Sequence, residues 1–329
     1  MFNKQHVVFV GAGAIGTSMG NILAAKDNLH VTLLSIESDV VESINKFHLN
    51  QKYFPGVPLQ KALKATTDNA VLSKADVVFL AIPSVITVSF VVKVKELMKP
   101  GTILVNLAKG FADEGMTIAE SLTKKVDFPI CSMKGPTFAR ELMNNIPTSF
   151  TLATVDEKLY SYFNKIFTDT CIFIDYSSDV RGVEMLSILK NIYAIVMGIV
   201  DAQFNSPNLR FLVFTRAFSE IKNIMLKFGG NQDTIFNYCG IGDFSLTSLN
   251  DLSRNRTLGL LIGKGFFTQN ISDKVVLEGK IATAVFYEEL QRMNIPEEEY
   301  PIIAELYKVF GENYDVSAFV SRLLKVFHP

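Results

Sequence analysis

Six residues near the start of the chain, Gly11-Ala12-Gly13-Ala14-Ile15-Gly16, form a G-x-G-x-x-G between an apolar run, HVVFVGAG (6–13), and a longer amphipathic stretch. In that setting Gly11 permits a tight turn, Gly13 lets a pyrophosphate approach the main chain, and Gly16 lets helix and strand pack closely. The phosphates then lie at a helix N-terminus, where unpaired backbone N–H groups collect. The strand before the motif, the helix after it and a second apolar run, HVTLLS (30–35), favour a dinucleotide site over a mere glycine-rich turn. An acidic residue about 20 positions further on often binds the adenosine ribose. Glu37 is the candidate, and a solvated glutamate opening a helix is the competing reading.

Two more apolar runs follow, DVVFLAI (76–82) and TILVNLA (102–108), each separated from the next by an amphipathic segment. Uninterrupted apolar strands in that rhythm predict a parallel sheet buried on both faces. TSFTLAT (148–154) and CIFIDYS (171–177) are expected to extend it. From Val183 onward the texture is helical, with apolar-periodic segments over 183–203, 209–228, 279–293, 299–310 and 316–327. The expected fold is α/β: an N-terminal Rossmann-type, mostly parallel sheet over residues 1–180, binding a dinucleotide, and a C-terminal all-helical domain over 181–329 for substrate and catalysis. A length of 329 residues suits two such domains.

Composition excludes several functions. Lys and Arg (32) nearly balance Asp and Glu (33), which argues against a nucleic-acid partner. Cys131, Cys171 and Cys239 are odd in number and far apart, which fits neither a disulfide framework nor a zinc ribbon, so no metal is expected. The opening MFNKQHVVFVGAG has no signal-peptide pattern, and cytoplasmic location is expected. The most apolar helical stretch, Ile192 to Val200, is nine residues between Asn191 and Asp201, short of the ~20 a bilayer requires. No membrane insertion is expected.

Reaction chemistry needs an acid-base group, and the four histidines at 6, 30, 48 and 328 are poorly placed to supply it. Gly182-Val183-Glu184-Met185-Leu186-Ser187-Ile188-Leu189-Lys190-Asn191 instead puts a lysine in an apolar helix, where an ammonium is costly unless paired or useful. Lys190 is the candidate proton carrier, with snorkelling to the surface as the alternative. Farther along, Gly240-Ile241-Gly242-Asp243 leads through Thr247 to Leu252-Ser253-Arg254-Asn255-Arg256, a concentration of donors that suits a phosphate. A helix capped by Ser253 and bearing exposed arginines explains the same residues. Asn106-Leu107-Ala108-Lys109-Gly110 and Lys134-Gly135-Pro136-Thr137-Phe138-Ala139-Arg140-Glu141 read as loops after strands, where open α/β sheets bind ligands. Lys109 also reads as an ordinary loop lysine.

Taken together, GAGAIGT, NQKYFPGVPL, LAIPS, AKG, KGPTFARE with Pro147-Thr148, GVEMLSILKN, FTR around Arg216, GIGDFSLT, LSRNR and VLEG resemble the NAD(P)-dependent glycerol-3-phosphate dehydrogenase family, in its order and over most of the chain. The resemblance implies reversible reduction of dihydroxyacetone phosphate to sn-glycerol 3-phosphate, a phospholipid precursor, with NAD or NADP. It also implies a cytoplasmic homodimer. Lys190 falls on the family's proton donor/acceptor, and Asp243 and Thr247 are expected to orient either Lys190 or the substrate hydroxyl. Lys109, Gly135, Thr137, Lys190, Asp243, Ser253, Arg254 and Asn255 fall on substrate positions. The cofactor set is Gly11, Gly13, Ala14, Ile15, Gly16, Glu37, Lys109, Ala139, Arg254, Val276 and Glu278.

The chain departs from the family's pattern at Ala14-Ile15, where Ser-Trp is common. It departs again at Leu34 and Ile36, where bacterial members often carry Trp and Arg, and at Pro207, where Asp is usual. Without a cation at Ile36, and with Glu37 beside it, NADH is the expected preference. The rival readings are a related dehydrogenase of a 3-hydroxy acid or sugar acid, and a dinucleotide sensor without turnover.

Overall fold

The structure is a computed structural model describing residues 4–112, 115–266, 273–311 and 314–327, with the side chains of 273–278 left out of the description. It divides into two compact units, Met1–Glu184 and Met185–Pro329.

The first unit begins with β1 (Gln5–Val10), α1 (Ala14–Ala24), β2 (Leu29–Leu34) and α2 (Ser38–Phe47), followed by β3 (Leu49–Asn50), β4 (Phe54–Pro58) and β5 (Lys64–Thr66). Then come β6 (Val77–Leu80), α3 (Ser84–Val94), β7 (Ile103–Asn106), α4 (Ile118–Lys125), β8 (Ile130–Lys134) and α5 (Ala139–Met143). β9 (Thr148–Ala153), α6 (Glu157–Phe167) and β10 (Ile172–Ser177) complete the unit. Eight strands form one sheet in the order β10-β9-β8-β7-β6-β1-β2-β5, and β3 pairs with β4 in a separate antiparallel ladder. Neighbours run parallel except β8 and β9.

Helices cover both sheet faces, so alternate residues of β1 enter two different cores. Val7 and Phe9 pack with Met19, Leu33 and Phe79, whereas Val8 and Val10 pack with Leu80, Leu104 and Val91. Phe9 stacks on Phe79 with ring centroids 4.6 Å apart. That two-sided burial is why the strand runs read as uninterrupted apolar sequence. The expected strands all lie in this sheet. β5 was not anticipated, and β8 was implied only as the strand before the KGPT loop: KAT and ICSMK interrupt the apolar pattern with Thr, Ser and Lys.

Two features of the topology place the ligand-binding edge. β1 lies between β2 and β6, so successive connections leave it in opposite directions and open a crevice at its carboxyl end. Because β9 runs against β8, with Lys134 opposite Thr151, the start of β9 returns to the edge where β8 ends. The KGPT and PT segments meet there.

The second unit is helical: most of α7 (Val180–Gln203), then α8 (Pro207–Lys227), α9 (Asp243–Leu249), α10 (Arg254–Gly263), α11 (Asp273–Arg292), α12 (Pro301–Val309) and α13 (Phe319–Phe327). α7 is far longer than the nine-residue apolar stretch singled out in the sequence. It has the length and mean hydropathy (1.7) of a membrane span, yet 94% of that window is buried within the protein. Gly182, Ser187 and Asn191 do not interrupt it, because burial and packing override their modest helix propensities. α10 lies directly on α7: a methyl added to Gly198 would sit 2.2 Å from Arg256 O, and one on Gly259 would sit 1.9 Å from Ile195 O. Only glycine at both places allows that approach.

Glu220 ties three helices together. Its carboxylate accepts from the backbone N–H groups of Ile302 (3.0 Å) and Ile303 (2.9 Å) in the first turn of α12, and from the Tyr193 hydroxyl (2.7 Å) on α7. Complete burial pushes the carboxyl up to about 7, outweighing the three hydrogen bonds that hold it down. The folded state therefore holds this proton more tightly than the unfolded chain, whose glutamate titrates near ~4.3. The resulting stabilisation is full below that value and is lost as pH rises through about 7. Relative to Glu220→Gln, wild-type unfolding free energy is expected to fall by roughly 3 kcal/mol from about pH 4.5 to about pH 8. Denaturant titrations of both proteins across that range check it, and a pH-independent difference would exclude the assignment.

Candidate functional site

The glycine turn divides the work of its three glycines as the spacing requires. Gly11 has φ +109°, and a Cβ there would lie 2.5 Å from Ala81 O. A Cβ on Gly16 would lie 2.1 Å from Gly11 O, so helix and turn touch through bare backbone. A Cβ on Gly13 would meet nothing within 4 Å, which leaves the main chain approachable. Gly13 is also the N-cap of α1, and no side chain caps that end. Its first-turn N–H groups, at Ala14, Ile15 and Gly16, suit a pyrophosphate. Buried Asn50 braces the turn, its amide donating to Ala12 O (3.0 Å) and Thr17 Oγ1 (2.9 Å).

At the end of β2, Ile36 is 99% exposed. Glu37 is ion-paired to Lys52 and accepts from the Tyr53 hydroxyl at 3.3 Å. The hydrogen bond to Glu37 holds the Lys52 ammonium above its usual range. The sequence shows no cation near Glu37, but the fold supplies one from the segment before β4.

At the carboxyl ends of β7 and β8, Lys109 sits half-buried in the loop after β7. Lys134, the last residue of β8, is 1% exposed and donates to Asn106 O (2.8 Å) and Ala108 O (2.7 Å). Gly135 runs against β9, where an added Cβ would be 2.2 Å from Ser149 O. Thr137 and Thr148 hydroxyls are 2.8 Å apart, and Thr148 Oγ1 also donates to Pro136 O at 3.0 Å. Ala139 opens α5. These contacts join KGPT to PT and hold both at the edge that carries the glycine turn.

In the helical unit Lys190 does not snorkel. It is 5% exposed, and its ammonium donates to Asp243 Oδ1 (2.6 Å) and Thr247 Oγ1 (2.7 Å) on α9. Asp243 is 1% exposed. An ammonium held by a carboxylate and a hydroxyl in an apolar surround is oriented and charge-balanced, which offsets the cost of burying it.

α10 separates the roles of its opening residues. Ser253 accepts from Arg256 N at 3.3 Å, so it caps the helix. Arg254 is exposed and Asn255 half-buried, whereas Arg256 turns inward. Arg256 pairs with Asp201 (2.5 Å), whose side chain is 4% exposed, and with Asp251 (3.2 Å), and Arg210 also reaches Asp201 (2.6 Å). Val276 and Glu278 fall on α11, but their side chains lie outside the described residues. Among the described residues no group of three His, Cys, Asp or Glu side chains could hold a metal ion.

Sequence reasoning did not single out Asn50, Lys52, Lys134 or Glu184. Glu184 carried the clearest signal, being a second charge in the apolar run that contains Lys190. Lys134 carried less, since a lysine at the end of a strand is unremarkable until its neighbours are known.

A Rossmann turn at the switch point of a parallel sheet, with a helical unit that holds a buried lysine against an aspartate, defines a two-domain NAD(P)-dependent dehydrogenase. The profile described as the NAD-dependent glycerol-3-phosphate dehydrogenase N-terminus matches residues 6–160, and its C-terminal counterpart matches residues 179–321. The chain belongs to that family. It is 33% identical to glycerol-3-phosphate dehydrogenase (NAD(P)+) of Desulfovibrio desulfuricans, over 98% of each chain. It is 31% identical to the enzyme of the same name from Clostridium acetobutylicum, over 97% of this chain and 96% of the relative. Among solved structures, glycerol-3-phosphate dehydrogenase from Coxiella burnetii superimposes with a TM-score of 0.86 at 26% identity, over 98% of this chain and 99% of that one.

Proposed function

We propose that this chain reduces dihydroxyacetone phosphate reversibly to sn-glycerol 3-phosphate with Lys190 as the proton donor. The observation that carries the reading is the buried ammonium of Lys190, held at 2.6 Å by Asp243 and 2.7 Å by Thr247. Gly11, Gly13 and Gly16 with the first turn of α1 would hold the NADH or NADPH pyrophosphate, and the bound cofactor would serve as the source of hydride. As negative charge develops on the ketone oxygen, Lys190 transfers a proton to it, and Asp243 and Thr247 keep the amine oriented. Lys109, Gly135, Thr137, Ser253, Arg254 and Asn255, with Lys190 and Asp243, are the proposed substrate residues. Gly11, Gly13, Ala14, Ile15, Gly16, Glu37, Lys109, Ala139, Arg254, Val276 and Glu278 are the proposed cofactor residues. The enzyme is proposed to work in the cytoplasm as a homodimer.

Cofactor choice follows from the charge at the end of β2. Ile36 brings none, Glu37 brings one negative charge, and Lys52 cancels that charge without reversing it. A free ribose is better served there than a 2′-phosphate, so NADH is expected to give the higher kcat/KM. Ile36→Arg is expected to raise the NADPH to NADH ratio about fivefold, the value of one exposed charge contact. Following nicotinamide absorbance with dihydroxyacetone phosphate, at one salt concentration, tests both statements. A wild-type preference for NADPH would overturn the charge argument alone. Binding of dinucleotide without oxidation would replace the enzyme by a sensor.

A further inference from the structure

The buried charges of the first unit form a cluster that the proposed chemistry does not use. Lys134 and Glu184 are 1% and 2% exposed, with Nζ and Oε1 3.8 Å apart. Glu184 accepts from the Asn106 amide, from the Ser132 hydroxyl and, at 2.9 Å, from Ala119 N in the first turn of α4. Lys134 donates to two main-chain oxygens, Asn106 O at 2.8 Å and Ala108 O at 2.7 Å. The Asn106 side chain closes the loop by accepting from Ala108 N at 2.9 Å.

Four of these contacts fall on Asn106 and Ala108, within the three residues before Lys109, while Ser132 and Ala119 N hold Glu184 in place. On the other side, Gly110 is pressed against the start of α3, where an added Cβ would lie 2.3 Å from Ser84 Oγ. Lys109 therefore sits between two fixed backbone points, although its own side chain is only half-buried. A buried ion pair is weak evidence for stability, because desolvation offsets most of its attraction. Here the lysine spends its hydrogen bonds on the carbonyls of one loop.

We propose that Lys134, neutralised by Glu184, is the positioning residue of the substrate-binding loop: its ammonium clamps the Asn106 and Ala108 carbonyls and so fixes where Lys109 presents its charge. This rests on the reading of Lys109 as a substrate residue. Removal of the clamp leaves the glycine turn and the Lys190 group intact, so the loss falls on substrate affinity before it falls on kcat.

The test compares wild type, Lys109→Ala and the double variant Lys134→Met with Glu184→Gln, which removes both buried charges together. Tm and steady-state constants for dihydroxyacetone phosphate are measured for each. The expected result is a folded double variant whose KM rises about tenfold or more, the range for a displaced charge-assisted contact, with kcat changed far less. A folded double variant with wild-type KM, beside an impaired Lys109→Ala, overturns the clamp alone. Wild-type KM in Lys109→Ala overturns the reading of Lys109 and the clamp with it. If the double variant does not fold, Lys134→Arg takes its place, keeping the charge against Glu184 but replacing the tetrahedral ammonium with a planar fork. A raised KM in that variant supports the clamp, and an unchanged one overturns it.

Discussion

Lys190→Ala is expected to lower kcat by about 10²-fold or more, the usual loss when a general acid is removed. Dinucleotide affinity should hardly change, because Lys190 is not among the proposed cofactor residues and the glycine turn is built by β1 and α1. The variant also removes the ammonium that balances Asp243, a carboxylate only 1% exposed, so its thermal stability must be measured beside its rate. Breaking a buried pair from one side costs about 3–5 kcal/mol. The double variant Lys190→Ala with Asp243→Asn removes both charges and should recover stability without recovering turnover. Near wild-type turnover by folded Lys190→Ala, from about pH 6 to about pH 9, would remove Lys190 from the mechanism.

Two arginines two residues apart should fail in different ways. Arg254→Ala is expected to weaken binding of dihydroxyacetone phosphate by about 10- to 150-fold, the value of one charge-assisted contact to a bound anion. Arg254 is exposed at the opening of α10 and available to a phosphate. Arg256 is turned inward onto Asp201 and Asp251. Arg256→Ala should therefore cost on the order of 2 kcal/mol of stability, tempered because Arg210 still reaches Asp201. Its effect on the substrate should be smaller. Unphosphorylated dihydroxyacetone is the control: equal slowing of both substrates by Arg254→Ala would mean that Arg254 does not read the phosphate.

What the residues announced in advance was local or periodic. The glycine turn is legible because its function depends on backbone space within six consecutive residues, and no distant partner is needed to recognise it. Uninterrupted apolar strands gave away a sheet buried on both faces. Lys190 stood out against an apolar helix, and its aspartate and threonine lay in a donor-rich segment already marked by glycines. Even so, the alternatives at Lys190 and Ser253 needed the structure. Lys190 is drawn in by Asp243 and Thr247, while Ser253 is spent at least in part as a helix cap.

The remainder was decided by contacts between residues far apart in the chain. β8 has a mixed pattern and is held as a strand by β7 and β9 on either side, which no window of sequence contains. Lys52 reaches Glu37 only because the segment around β3 folds back beside the end of β2, changing the charge that the isolated Glu37 implied. Lys134 meets the carbonyls of Asn106 and Ala108, and Glu184 meets Asn106, only after the sheet has assembled. Periodicity reports which face of an element is buried, because burial acts on each residue separately. Pairing of buried polar groups acts between residues that chain order does not relate, so the glycine turn and the helical lysine were determined by the sequence itself, and the clamp behind Lys109 by tertiary structure alone.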